Sequence, residues 1–124
     1  MVSYTNKNQL LFRKTQIIIE EREIIMKKIT LICAGGFSTS MLVSKMEESA
    51  KNKKIEVEIR ATADSKFCEY ENDTDVLLLG PQVGYLLDKF KRKYADKEMK
   101  ISIIDSVDYG MMNGKKVLDD AINM

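Results

Sequence analysis

Apolar positions along the chain switch repeatedly between a period of about two and a period of about 3.6 residues, the signatures of strand and helix. Residues 28–33 (Lys-Ile-Thr-Leu-Ile-Cys) predict a first strand. Residues 39–52 predict a helix with Leu42, Val43, Met46 and Ala50 on one face. Residues 55–60 alternate strictly between apolar and charged side chains, which predicts a strand buried on one face only. Residues 75–79 are a nearly unbroken apolar run, as in a strand covered on both faces, and Gly80-Pro81 ends it. Val83, Leu86, Leu87, Phe90 and Tyr94 mark a helix over 83–94. Residues 100–104 predict a fourth strand. Residues 113–122 predict a last helix, with Val117, Leu118, Ala121 and Ile122 facing inward. The signal is weakest at 62–73, where a short helix around Phe67 and Cys68 fits.

Four strands joined by helical crossovers specify an α/β fold in three layers: a four-stranded parallel sheet flanked by helices on both faces. The half-exposed second strand belongs at an edge, which gives the order 2-1-3-4. Ligands of such sheets bind beyond the carboxyl ends of the strands. Three loops meet there, at 33–40, 80–84 and 105–112.

Residues 1–25 follow a different pattern. Residues 1–14 are polar and patternless, and Glu20-Glu21-Arg22-Glu23 interrupts any apolar face. Met26-Lys27-Lys28 then runs straight into the first strand. The codons for Glu21-Arg22-Glu23 are dominated by purines if Arg22 uses an AGR codon, and they lie a short spacer before Met26, where a ribosome-binding site belongs. Two readings stand: residues 1–25 are a misassigned extension ahead of a true start at Met26, or they are a flexible arm. The domain itself is 26–124.

Composition narrows the chemistry. The chain contains no histidine, which removes Ser-His-Asp and Cys-His machinery, histidine metal ligands and a histidine phospho-carrier of its own. Its two cysteines, Cys33 and Cys68, are far apart in sequence, so neither a disulfide framework nor a zinc site is expected, and no metal or cofactor is called for. Free thiols without a secretory signal point to the cytoplasm. A formal net charge of +1 gives no reason to expect nucleic acid as a partner.

One loop carries candidate chemistry. Cys33-Ala34-Gly35-Gly36-Phe37-Ser38-Thr39-Ser40 leaves a strand and opens a helix. Gly35 and Gly36 allow a tight turn that aims backbone N–H groups inward. Ser38, Thr39 and Ser40 are helix-capping types. With the positive end of the helix dipole, residues 35–40 read as an anion cradle. Cys33 stands at its mouth, and thiols at helix N-termini ionise more readily than free ones. The same backbone donors that favour a thiolate favour a phosphoryl group on its sulfur. The simpler alternative is that Cys33 is a small buried residue ending a strand. Cys68 lacks any such setting and reads as structural. There is no Gly-Lys-Ser/Thr, so the loop is not a nucleotide P-loop.

A strand–Cys–loop–helix arrangement resembles the low-molecular-weight tyrosine phosphatases, whose Cys-x5-Arg signature supplies an arginine for the phosphate. Here Thr39 occupies the place of that arginine, and no Asp-Pro general acid is present. Nucleophile and cradle without hydrolytic equipment describe a carrier. Cys33-x-x-Gly-x-Ser-Thr-Ser followed by Met41-Leu42-Val43, the Leu78-Leu79-Gly80-Pro81-Gln82-Val83 stretch with Tyr85, and the Asp108-to-Gly114 loop together resemble the enzyme IIB component of the bacterial sugar phosphotransferase system, lactose/cellobiose/chitobiose type. The resemblance covers residues 27–123. Phe37 departs mildly from it, since methionine is commoner there.

The resemblance implies that Cys33 accepts a phosphoryl group from a phosphohistidine of a IIA protein. It then passes the group to a sugar bound by a membrane IIC permease, in all a phosphotransferase activity on a β-linked disaccharide such as cellobiose or chitobiose. Gln82, Tyr85 and Tyr109 are expected as partner contacts. A phosphatase or a non-catalytic anion-binding module are the alternatives. Asp105 and Asp108 either position phosphate or are simply solvated. Met111 and Met112 either form a contact surface or lie under the last helix. Lys89, Lys91, Arg92 and Lys93 read as a solvated face, with steering of a phosphorylated partner as the lesser alternative.

Overall fold

The computed structural model describes residues 27–33 and 37–124. The expected extension at 1–25 and the boundary at Met26 lie outside the described residues. The four strands are β1 (Lys27–Ile32), β2 (Val57–Thr62), β3 (Val76–Leu79) and β4 (Lys100–Ile103). All neighbours are parallel, in the expected order β2-β1-β3-β4. The register aligns their carboxyl ends, with Ile32 opposite both Thr62 and Leu79, and Leu79 opposite Ile103.

The helices are α1 (Phe37–Asn52), α2 (Leu87–Lys93), α3 (Ser106–Gly110) and α4 (Gly114–Ile122). Alternation along the strands divides the core in two. Ile29, Leu31 and Leu78 pack under Leu42, Met46 and Ala50 of α1 and Val117, Leu118 and Ala121 of α4. Ile32, Leu77 and Leu79 face Phe67, Val83, Leu86, Phe90 and Tyr94. There Phe67 meets Phe90 and Tyr94 edge-on, with centroids 5.9 and 5.7 Å apart, a geometry worth about 1 kcal/mol per pair beyond burial. On the other face, a Cβ on Gly114 would come within 2.5 Å of the Lys45 backbone, so α4 seats directly on the main chain of α1.

Three elements differ from expectation. The second strand begins at Val57 rather than Ile55, because α1 stops in a Schellman motif: Ile55 N–H donates to Ala50 O, Lys54 N–H donates to Lys51 O, and Lys54 takes φ 57°. Ile55 is therefore used in the stop. The helix expected over 83–94 is a 3₁₀ segment, Pro81–Leu86, followed by α2, with Val83 at a non-helical φ −118°, ψ 21°. Its apolar stripe is nonetheless buried, apart from the half-buried Leu87. Residues 106–110, expected as loop, form α3 because Asp105 caps it, accepting from the N–H groups of Val107 and Asp108. The weak segment around Phe67 is a 3₁₀ helix, Asp64–Glu69. Among the described residues, no helix is long and apolar enough to cross a membrane.

Candidate functional site at the carboxyl end of the sheet

Cys33 follows the last residue of β1 and continues its alternation, so its side chain falls on the α1 face with Ile29 and Leu31. The residue is 6% exposed. Its neighbour across the sheet is Gly80, the residue after β3, whose N–H donates to Ile32 O at 2.8 Å. A Cβ built on Gly80 would lie 3.0 Å from Cys33 Sγ and 3.1 Å from Gln82 Oε1. The sulfur and the Gln82 carboxamide thus both close on Gly80, and glycine is the residue that allows so near an approach. Gln82 itself is exposed, so this flank of the buried thiol leads to the surface.

Of the cradle residues, Gly35 and Gly36 lie outside the described residues. Phe37, Ser38 and Thr39 form the first turn of α1. First-turn amides lack partners within their own helix and favour anions. Ser40 is exposed. Thr39 is 5% exposed, and its Oγ1 lies 3.5 Å from the hydroxyl of Tyr109, which is also buried. Thr39, in the place where a phosphatase would carry arginine, instead ties α1 to α3.

The three residues expected as partner contacts separate. Tyr85 is 79% exposed on the 3₁₀ segment after β3. Gln82 is exposed but turned toward the thiol. Tyr109 is an internal prop for the start of α1 rather than a surface group, because α3 turns its ring inward. Met111 is 74% exposed, whereas Met112 packs on the core at φ 54°. Tyr85 after β3, Ile103 at the end of β4, and Val107 and Met111 after it leave an exposed apolar rim.

Asp105 caps α3, and Asp108 lies 3.7 Å from Lys116. The Asp120 carboxylate, and then that of Asp108, hold the Lys116 ammonium above its usual pKa. Both loop aspartates therefore have structural partners. Cys68, read as structural, is exposed, and the buried packing falls to its neighbour Phe67. The site residue that sequence reasoning missed is Gly80. The signal was present, since it ends the strand that pairs with β1, but its closeness to Cys33 depends on register.

The matched family model is that of the phosphotransferase-system lactose/cellobiose-specific IIB subunit, over residues 28–120. The oligo-β-mannoside-specific EIIB component of Bacillus subtilis is 37% identical over 99 residues, covering 80% of this chain and 96% of that protein. The galactose-specific EIIB component of Lactococcus lactis subsp. cremoris is 41% identical over 103 residues, covering 79% and 95%. The solution structure of the cellobiose-specific phosphotransferase IIB component of Borrelia burgdorferi superposes with a TM-score of 0.67 at 42% identity, covering 79% of this chain and 90% of that one. By its family match, its sheet order and these relatives, the chain belongs to the lactose/cellobiose-specific IIB subunits of the phosphotransferase system.

Proposed function

We propose that Cys33 is a phosphoryl carrier in the cytoplasm, loaded by a phosphohistidine of a IIA protein and unloaded by a sugar held in a IIC permease. The functional unit is residues 26–124, and the family match begins just inside it. The observation that carries the reading is the placement of Cys33. Cys33 directly follows β1, four residues before α1 opens, and its sulfur lies against a glycine that adds no side chain there. The first-turn amides of residues 37–39, with the cradle glycines Gly35 and Gly36, supply donors for the phosphoryl oxygens, and Ser40 follows them on the helix.

In the loading step a sulfur electron pair forms the S–P bond while the N–P bond of the phosphohistidine breaks. The nitrogen keeps that bonding pair, and the thiol proton leaves to balance it. In the unloading step a sugar hydroxyl oxygen forms the new O–P bond, the S–P pair returns to sulfur, and the hydroxyl proton is released. The chain has no histidine, so the donor imidazole belongs to the partner. The exposed rim of Tyr85, Ile103, Val107 and Met111 is suited to seat that partner by apolar burial.

Relatives at similar identity are named for an oligo-β-mannoside and for galactose. The resemblance favours a β-linked disaccharide, and the sugar is to be identified by assay. Reconstitution with labelled phosphoenolpyruvate, the general relay proteins, IIA and IIC-bearing vesicles tests the reading. Label is expected on Cys33, and only the cognate sugar should discharge it. A wild-type chain that never takes label, or sheds it to water within seconds in isolation, defeats the carrier reading; the second outcome would mark a phosphatase.

A further inference from the structure

We propose that the Gln82 carboxamide is a wall of the phosphoryl site, donating an N–H to an oxygen of the group on Cys33 Sγ. The inference rests on the carrier reading above and gives one residue of that site a role. Its basis is the point in space already described, 3.0 Å from the sulfur and 3.1 Å from the Gln82 carboxamide oxygen. Sulfur and carboxamide oxygen are therefore within about 6 Å of one another, and a phosphoryl group on the sulfur that passes beside Gly80 comes into hydrogen-bonding range of the carboxamide.

The chemistry of the side chain suits both states of the sulfur. A carboxamide has an acceptor oxygen and two donor hydrogens, so a half-turn about its last bond exchanges one for the other. The oxygen accepts from an S–H, and the amide N–H₂ donates to a phosphoryl oxygen. Glutamate at this position would offer only acceptors and a like charge. Gln82 is uncharged, so it contacts the dianion without neutralising it, and the group remains transferable. Pro81 opens the 3₁₀ segment that carries Gln82 and fixes the backbone directly before it. The Gly80 N–H bond to Ile32 O sets the distance between the two strands at this level.

The rival role for Gln82 is contact with a protein partner, and two measurements on the isolated phosphorylated chain separate the roles. Wild type, Gln82→Ala, Gln82→Asn and Gln82→Glu are loaded from the phosphorylated IIA protein, which is then removed. Their ³¹P resonances and the half-lives of the phosphocysteine are recorded. Hydrogen bonds to charged groups contribute about 1.5–3 kcal/mol. Gln82→Glu is therefore expected to load at least tenfold more slowly, and Gln82→Ala to shift the ³¹P resonance and change the half-life by threefold or more. Gln82→Asn should fall between Ala and wild type. Gly80→Ala is expected to slow loading as well, since its methyl group would press on the sulfur at 3.0 Å.

A ³¹P resonance and half-life unchanged in Gln82→Ala and Gln82→Glu, with only the apparent KM for IIA raised, would overturn the inference and leave Gln82 a docking residue. A wild-type chain that takes no label overturns the carrier reading and this inference with it. Because Gln82 is exposed, its variants are expected to keep the wild-type fold, which circular dichroism checks.

Discussion

The two ends of the sheet are finished in opposite ways. On the side where β3 begins, β1 and β2 are tied to the segment before β3 by charge and hydroxyl groups. Arg60 donates to both the main-chain oxygen and the carboxylate of Asp73 at 3.1 Å, and it stands over the Tyr70 ring with its guanidinium carbon 5.0 Å from the centroid. Lys28 donates to Asp73 as well, and Thr30 meets Thr74 at 2.8 Å. At the carboxyl end the side chains named around the thiol are uncharged: Cys33, Gln82, Thr39 and Tyr109, while Asp105 and Asp108 are engaged by α3 and Lys116. One end resolves its electrostatics within the chain. On the proposed carrier reading, the other keeps first-turn amides and a thiol available for a charge that arrives from elsewhere. A fold of this size thereby separates the residues that hold it together from those that act.

That contrast is open to test. The largest effect is expected from Cys33→Ser, which should reduce labelling to background while the melting temperature stays within a few degrees of wild type. A serine variant that still takes label would move the chemistry elsewhere. Next is Gly114→Ala, which lies at neither strand end and forces a methyl group against the Lys45 backbone. Overpacking of this kind costs about 2–3 kcal/mol and should lower the melting temperature by roughly 10 °C or more. Wild-type melting would show that α4 is not seated on α1 as described.

Arg60→Ala breaks the amino-end network and should cost about 2 kcal/mol by denaturant titration. The rate of loading of Cys33 should not change, and a fall in that rate would couple the two ends and spoil the distinction. Asp73 gives a pH-dependent version. Its hydrogen bond to Lys28, and then that to Arg60, hold its carboxyl below the usual carboxylate range. A lowered folded-state value means the contribution is present above about pH 4 and is lost as the pH falls through that value. Asp73→Asn should flatten this acid limb of the stability profile, and an unchanged limb would show the pairs to be screened away. The smallest effect expected is a gain. Lys54 stands at the left-handed stop of α1, where glycine is at ease, so Lys54→Gly should stabilise by roughly 0.5–1 kcal/mol.

Much of this architecture was legible in residue patterns. Strict alternation at 55–60 placed β2 at an edge, and the run Val76–Leu79 placed β3 inside, which together imply the strand order. What escaped notice depended on local hydrogen bonds that periodicity does not carry. The Schellman stop moved the start of β2, and a proline-led 3₁₀ turn carried the same stripe as a regular helix. The Asp105 cap of α3 was a visible signal, but five residues are too few for a period to emerge. At the site, Cys33 and Thr39 were legible because the Gly-Gly turn and helix opening are contiguous in sequence. Gly80 was not, and Gln82 was expected only as a partner contact, because only the pairing of β1 with β3 brings them to the sulfur.

Cysteine has a single side-chain torsion, and the carbonyl immediately before Cys33 is anchored to the Gly80 amide. The sulfur is therefore a fixed post and not a swinging arm. If Cys33 is the carrier proposed above, cargo left on it cannot be carried across a gap by side-chain motion; it must be set down and picked up at one spot. Two visitors of protein size cannot stand at one spot together, so a carrier of this build serves them in turn, and its traffic depends on how quickly each one departs.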